Sequence, residues 1–265
     1  MGKYFGKKLV VYLITFFFAV TLNWAVPRFV PGDPISMLLS RFVGLEGGRQ
    51  ILESHFVKTF GLDQPLLTQY FGFWKSLFTG DLGISISQYP KPVMDIISDS
   101  IIYDFIILVP AIILSWIIGN KLGAFSGVSK KTDSFLMPVF YFLTSSPYFW
   151  FALVVSYLLG IKAGFFPTSH AFSATLRPAW TWRFISDAFM HWFMPFLTLF
   201  LVQLGGWAIG MRNMIIYETS TNYSRYMESL GASKKLIRSY GFRNGILPQV
   251  TGLAISLGTV VSGVV

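Results

Sequence analysis

The stretch YETSTNYSRYMESLGASKKLIRSYGFRNGILP, residues 217–248, is the one long, strongly basic and amphipathic segment between two apolar runs. Arg225, Lys234, Lys235, Arg238 and Arg243 are set against only Glu218 and Glu228. Gly231 divides the stretch into two helical pieces, because glycine reaches the left-handed dihedrals that end a helix at little cost. Ser233 is placed to cap the second piece through its hydroxyl oxygen. On that piece Leu236, Ile237 and Tyr240 form an apolar face opposite the lysines. Pro248 is expected at the start of the next helix, where its missing N–H is tolerated. Two readings follow from the residues: a basic loop held on a lipid surface by its charge, or a short helix offered to a partner's groove.

Outward from this stretch the chain is too apolar for a soluble domain, at 53% hydrophobic and 12% charged residues with a mean hydropathy of +0.57. About 20 apolar residues cross a bilayer core. The charge-free runs 9–27, 105–120, 134–161, 188–211 and 244–265 qualify or nearly do, the second extended by Ile101, Ile102 and Tyr103. The fold class is an all-α membrane protein, a polytopic bundle of transmembrane helices, since helices satisfy their own backbone groups in lipid.

The charge distribution orients the bundle. With the N-terminus in the cytoplasm, the inner segments hold Lys3, Lys7, Lys8, Lys121, Lys130, Lys131, Arg212 and the loop basics, against Asp133, Glu218 and Glu228. The outer acidic and basic residues cancel, so the net charge of +9 lies wholly on one side, as the positive-inside rule expects. A basic balance read this way points to membrane lipid and not to nucleic acid. With no cysteine in the chain, disulfides and thiolate metal sites are excluded.

The organisation reads as 1–27, a cytoplasmic N-terminus and first helix; 28–100, an extracytoplasmic segment; and 101–265, a core bundle that includes a cytoplasmic loop over 212–247. No small-x-small cleavage site follows the first run, and Trp24, Pro27 and Arg28 mark an interface. The outer segment carries three turn strings: Phe29-Val30-Pro31-Gly32-Asp33-Pro34, Phe60-Gly61-Leu62-Asp63-Gln64-Pro65-Leu66 and Gly80-Asp81-Leu82-Gly83-Ile84-Ser85. Between the last two, Tyr70, Phe71, Trp74 and Phe78 share one side of a helix, interfacial or part of a small outer subdomain. Asn120 to Asp133 reads as the first inner loop. The run 134–161 carries Pro138 and Ser145-Ser146-Pro147, which suggest kinks whose freed carbonyls find partners on neighbouring helices. Such kinks serve packing or a pathway. Trp180 and Trp182 read as interface anchors of the outer loop 162–187. Gly205-Gly206 and Gly210 allow close helix approach, as do Gly252, Ala254, Ser256 and Gly258 on the last run. Ser146, Pro147, Gly252 and Ser256 are candidate pathway or packing residues.

No catalytic constellation is visible. His55, His170 and His191 have no second ligand at metal spacing on one helix, no nucleophile elbow occurs, and no charged residue lies deep in a span. Proton-driven transport is disfavoured, and the energy is expected to come from a partner.

Tyr226-Met227-Glu228-Ser229-Leu230-Gly231-Ala232-Ser233, followed by Arg243-Asn244-Gly245-Ile246-Leu247-Pro248, resembles the cytoplasmic loop of ABC-importer permeases of the dipeptide/oligopeptide type. The three outer strings in this order resemble the same family, and the resemblance covers nearly the whole chain. Arg225-Tyr226-Met227 stands where many relatives carry Glu-Ala-Ala. The resemblance implies a type I importer-like permease without covalent chemistry or cofactor of its own. The implied partners are a second related permease (a heterodimer), two cytoplasmic ATPases that bind ATP and Mg, and an extracytoplasmic substrate-binding protein. Tyr226, Met227, Glu228, Leu230, Gly231, Ala232 and Ser233 would couple to the ATPase; Asp33, Asp63, Tyr70 and Asp81 mark the outer segment. The implied cargo is peptide, although this branch also carries oligosaccharides and nickel. The alternative is a non-transporting membrane scaffold. The family has six spans where five are visible here, so a further helix after Val265 is an expectation of the resemblance.

Overall fold

The computed structural model describes residues 2–29, 39 and 49–260. Its helices are α1 (Gly2–Phe29), α2 (Arg49–Thr59), α3 (Leu66–Thr79), α4 (Val93–Ser126), α5 (Lys130–Ser145), α6 (Tyr148–Val155), α7 (Trp182–Ser220), α8 (Asn222–Ser229) and α9 (Lys234–Thr259). After α6 the chain widens into π-type turns over Ser156–Lys162. Lys3–Phe29, Val93–Ser126 and Trp182–Ser220 are each long and apolar enough to cross a bilayer. Lys130–Ser145 and Tyr148–Lys162 qualify only as a pair bent by 105°. The chain divides into two compact units, residues 1–100 and 101–265.

In the first unit α1 presents exposed apolar side chains along most of its length, as a helix bathed in lipid must. Tyr70 and Trp74 of α3 lie against it. The Trp74 ring stacks on Phe17 at 5.7 Å, and the Tyr70 and Thr21 hydroxyls are 2.8 Å apart. Arg28 donates to Gln69 Oε1 at 3.1 Å. Phe71 and Phe78 are exposed, so the aromatic side expected of α3 is split between α1 and the surroundings. Gly80, at φ 72°, ends the helix. Phe56, on α2, is 1% exposed and packs with Phe60 and Tyr89.

In the second unit α7 is the common partner of the other long helices, and small residues set how near each comes. A methyl group on Gly123 of α4 would fall on the Ala208 carbonyl, and one on Gly119 would stand 2.7 Å from Trp207 Cβ. Gly205 faces the Phe140 carbonyl of α5 at 2.5 Å by the same measure; on α9, Gly245 faces Met214 at 2.9 Å and Gly252 the Trp207 ring at 3.1 Å. Lipid gives helices no hydrophobic reason to associate, so contact area won by close approach replaces it. Phe140, Leu143, Val202, Leu204 and Ala208 fill one core cluster; Leu108, Ile112, Phe196 and Leu199 fill another.

The prolines explain two features. Pro110 cannot donate to the Ile106 carbonyl, and Trp192 Nε1 on α7 donates to that oxygen at 2.9 Å. At Pro147 the outcome is sharper than the kink expected in 134–161. The residue before a proline is held out of the helical region, and Ser146 stands at φ −76°, ψ 123°. The helix therefore stops, and Ser146 Oγ donates to the Phe142 carbonyl at 2.7 Å in place of a backbone N–H.

Other boundaries also differ from expectation. α4 begins at Val93 and ends at Ser126, which shrinks the inner loop to 127–129. The 217–248 stretch holds the end of α7 as well as two further helical pieces, because the chain breaks at Thr221 too. Pro248 lies inside α9, which runs continuously from Lys234. The last expected run, 244–265, is the apolar part of that helix up to Thr259; residues 261–265 lie outside the described residues.

Gly123→Val should separate α4 from α7 and cost about 2 kcal/mol or more, the range of overpacked sites. Gly258→Ala, which meets open space among the described residues, should not destabilise and should gain up to about 1 kcal/mol of helix propensity. Thermal unfolding of the two detergent-solubilised variants beside the parent checks both.

Candidate functional site

The break at Ser146-Pro147 opens space between helices. A cavity of about 780 Å³ is bounded by α4, the α5–α6 turn, α7 and α9. Its wall sets Thr144, Ser146, Gln203, Gln249 and Ser256 among aliphatic side chains such as Ile112 and Leu199, and among the described residues none that lines it is charged. Of the four candidate pathway residues, Ser146, Pro147 and Ser256 meet here. Gly252 stands behind the wall, where its lack of a side chain admits the Trp207 ring. Sequence reasoning missed Gln203, Trp207 and Gln249. The available signal was two amide side chains inside otherwise apolar spans, where polar groups are costly and tend to face the bundle interior. Gln249 is fixed from both sides: its carbonyl accepts from Trp116 Nε1 at 2.9 Å, and its side chain lies over Gly210.

The 217–248 stretch is built as a separate site. Thr221 is extended and starts α8. At the other end Gly231 adopts φ 82°. Its N–H donates to the Glu228 carbonyl at 2.9 Å, and that of Ala232 to the Met227 carbonyl at 3.0 Å. This is a Schellman closure, with Met227 and Ala232 at the positions whose apolar contact accompanies it. Ser233 Oγ then accepts from Leu236 N at 3.3 Å and begins α9. α8 buries Ser224 and leaves Tyr226 and Leu230 at 66% and 69% exposure. Arg225 and Glu228 are also exposed, and Met227 is half-buried. On α9 only Ile237 of the expected apolar face is buried; Leu236 and Tyr240 are exposed.

Next to this loop Asp133, Arg212 and Ser126 join three helices. Arg212 Nε donates to Asp133 Oδ1 at 2.9 Å, and its Nη2 donates to Oδ2. Ser126 Oγ donates to Oδ1 at 2.8 Å. The planar guanidinium meets both carboxylate oxygens at once, the strong form of such a pair.

The outer candidates do not converge. Asp33 lies outside the described residues. Asp63 is exposed in the turn before α3. Tyr70 is turned toward α1. Asp81 Oδ1 accepts from Gly83 N at 3.1 Å and serves its own turn. Among the described residues no group of His, Asp and Glu side chains is arranged to hold a metal ion.

Residues 111–265, which contain the ion pair, the loop and all the described cavity-lining residues but Leu108, match the family described as binding-protein-dependent transport system inner membrane component. The chain belongs to this family. It is similar to the oligopeptide transport system permease protein AppB of Bacillus subtilis, at 23% identity over 91% of this chain and 74% of that one. It is similar to the dipeptide transport system permease protein DppB of Lactococcus lactis, at 28% identity over 95% of this chain and 76% of the relative. A third similar protein is the glutathione transport system permease protein GsiC of Escherichia coli, at 24% identity over 99% and 80%. The chain is thus a multi-pass inner-membrane permease subunit of a binding-protein-dependent importer, and its relatives are transport permeases, not enzymes. Membership of the family implies an ATPase and a substrate-binding protein as partners in general terms.

Asp133→Ala leaves the Arg212 guanidinium without its acceptor and should destabilise the subunit by about 2 kcal/mol, as for lost hydrogen bonds to charged groups. The double variant Asp133→Ala/Arg212→Ala leaves no orphaned charge and should lose less than the single one. Unfolding midpoints of the three proteins in detergent test the ordering.

Proposed function

We propose that this subunit supplies half of a transmembrane pathway for peptides and that its uncharged cavity forms part of that pathway. The cavity carries the reading: hydroxyls, amides and an indole offer hydrogen bonds and a ring face without a charge that would hold a solute too tightly to release. The names of the similar permeases, for oligopeptides, dipeptides and glutathione, support peptides over sugars or nickel. A second, related permease completes the pathway. Two cytoplasmic ATPases bind ATP and Mg and carry out the hydrolysis; this subunit holds no cofactor. The N-terminus is cytoplasmic, and residues 28–100 meet the extracytoplasmic binding protein, with Asp63 the exposed point of contact.

In this reading α8 is the element that enters an ATPase groove. Tyr226 and Leu230 project as apolar anchors, Met227 supports them, and Arg225 and Glu228 fix the register. Gly231, Ala232 and Ser233 close the helix so that the anchors keep one direction.

In the reconstituted importer, Met227→Asp places a charge in the contact, and Gly231→Pro requires φ near −65° where the chain stands at 82°. Both should abolish uptake while the subunit stays in the membrane; normal uptake by both would refute the docking role. For the pathway, cysteines at Ser146 and Ser256 in this cysteine-free chain should react with a water-soluble thiol reagent, and a transported peptide should slow the reaction. Reaction only with lipid-soluble reagents would place the cavity outside the pathway.

A further inference from the structure

The motif Arg243-Asn244-Gly245-Ile246-Leu247-Pro248 lies on α9, outside the exposed anchors of α8, so docking alone gives it no task. The structure supplies one through Glu218. This residue sits in the last turn of α7, half-buried. Its Oε2 accepts from the Tyr223 hydroxyl at 2.7 Å and from Asn244 Nδ2 at 3.2 Å. Asn244 Nδ2 also donates to the Tyr223 hydroxyl at 3.2 Å. One carboxylate oxygen therefore ties α7, α8 and α9 together.

The backbone of the same residue adds a second tie. The Glu218 carbonyl keeps only the Thr221 N–H at 3.4 Å as a backbone partner at the break and accepts besides from Ser224 Oγ at 2.7 Å and Thr221 Oγ1 at 2.6 Å. Ser224 is 2% exposed, so this contact is closed to water. On the α9 side Gly241 is buried, and a methyl group there would stand 3.4 Å from Glu218 Cβ. The two long helices are thus in contact at the level where α8 is attached. Two helices that also wall the cavity, α7 through Gln203 and α9 through Gln249, are bridged at their inner ends by the helix between them.

We propose that Glu218, Tyr223 and Asn244 are positioning residues for energy coupling: they make α8 move as one body with α7 and α9, so that displacement of α8 reaches the cavity wall. None of the three belongs to the exposed anchors. The inference rests on the reading that α8 docks on an ATPase. A hinge at Thr221 or at Gly231 would otherwise absorb the motion, because the helical ladder is interrupted at both and only turn bonds, such as Thr221 N to the Glu218 carbonyl at 3.4 Å, remain there. The bridge adds side-chain bonds from α8 to α7 and to α9.

The test uses the whole importer, with the second permease, both ATPases and the binding protein, reconstituted in vesicles with a transported peptide. The quantity read is peptide moved per ATP hydrolysed. Glu218→Ala and Asn244→Ala should lower that ratio about fivefold, the factor that accompanies one net hydrogen bond, with the ATPases still bound and hydrolysing. Glu218→Gln keeps an acceptor oxygen for Tyr223 and Asn244 and should retain most of the ratio, which a loss of general stability would not reproduce. Parental ratios in both alanine variants overturn the proposal, as does a fall in unfolding temperature with the ratio unchanged. Loss of the ATPases from the alanine variants also overturns it, by making these residues part of the docking surface. Absence of ATPases from the parent complex instead defeats the underlying reading of α8.

Discussion

The close approach of α4 to α7 at Gly123 and Ala208 is the constraint on which the second unit depends. Water drives apolar surfaces together in a soluble protein, but lipid is as apolar as leucine and rewards only contact area and hydrogen bonding. A glycine facing a backbone carbonyl brings the axes close enough for the flanking side chains to interdigitate. The same device recurs around α7, at Gly205 toward α5 and at Gly245 and Gly252 toward α9. α7 is the axis of the unit because each of these crossings falls on it.

Backbone satisfaction shapes what that packing encloses. A polar group left bare in hydrocarbon is costly, so each proline in a span needs another donor. Trp192 serves the carbonyl freed by Pro110, and this ties α7 to α4. Ser146 serves its own helix end at Pro147, and the chain then turns by 105°. Beyond that turn Phe151 and Val155 still pack in one cluster with Met194 of α7. A cavity whose apolar wall carries several hydroxyls and two amides remains beside the break.

The cavity and the α8 loop share elements. α7 and α9 each contribute a glutamine to the cavity, and α7 ends at, and α9 begins from, that loop. Asp133 and Arg212 hold α5 against α7 near the same level, so the broken segment is tied to the same axis. α7 therefore joins the broken segment, one side of the cavity wall and the attachment of α8.

Much of this was legible in the residues. Apolar run lengths set the all-α membrane class, because a bilayer has a fixed thickness. Gly231 and Ser233 announced a helix end and a helix start, because both depend on local dihedrals and a single hydroxyl. Ser146-Pro147 marked an irregularity for the same local reason. Other features depend on pairs of residues far apart in sequence. Helical period shows which side of α4 is small but not that Ala208 will face Gly123. Pro248 reads as a helix start, yet α9 passes through it, since contacts with α7 on both sides of the proline hold the helix in line. Gln203 and Gln249 are each a lone amide in an apolar run, and only the crossing of α7 and α9 beside the broken segment turns them into one wall. Run lengths and caps are local quantities that the sequence determined by itself. The cavity and the Glu218 bridge required the tertiary structure, because each consists of distances between helices that no one segment encodes.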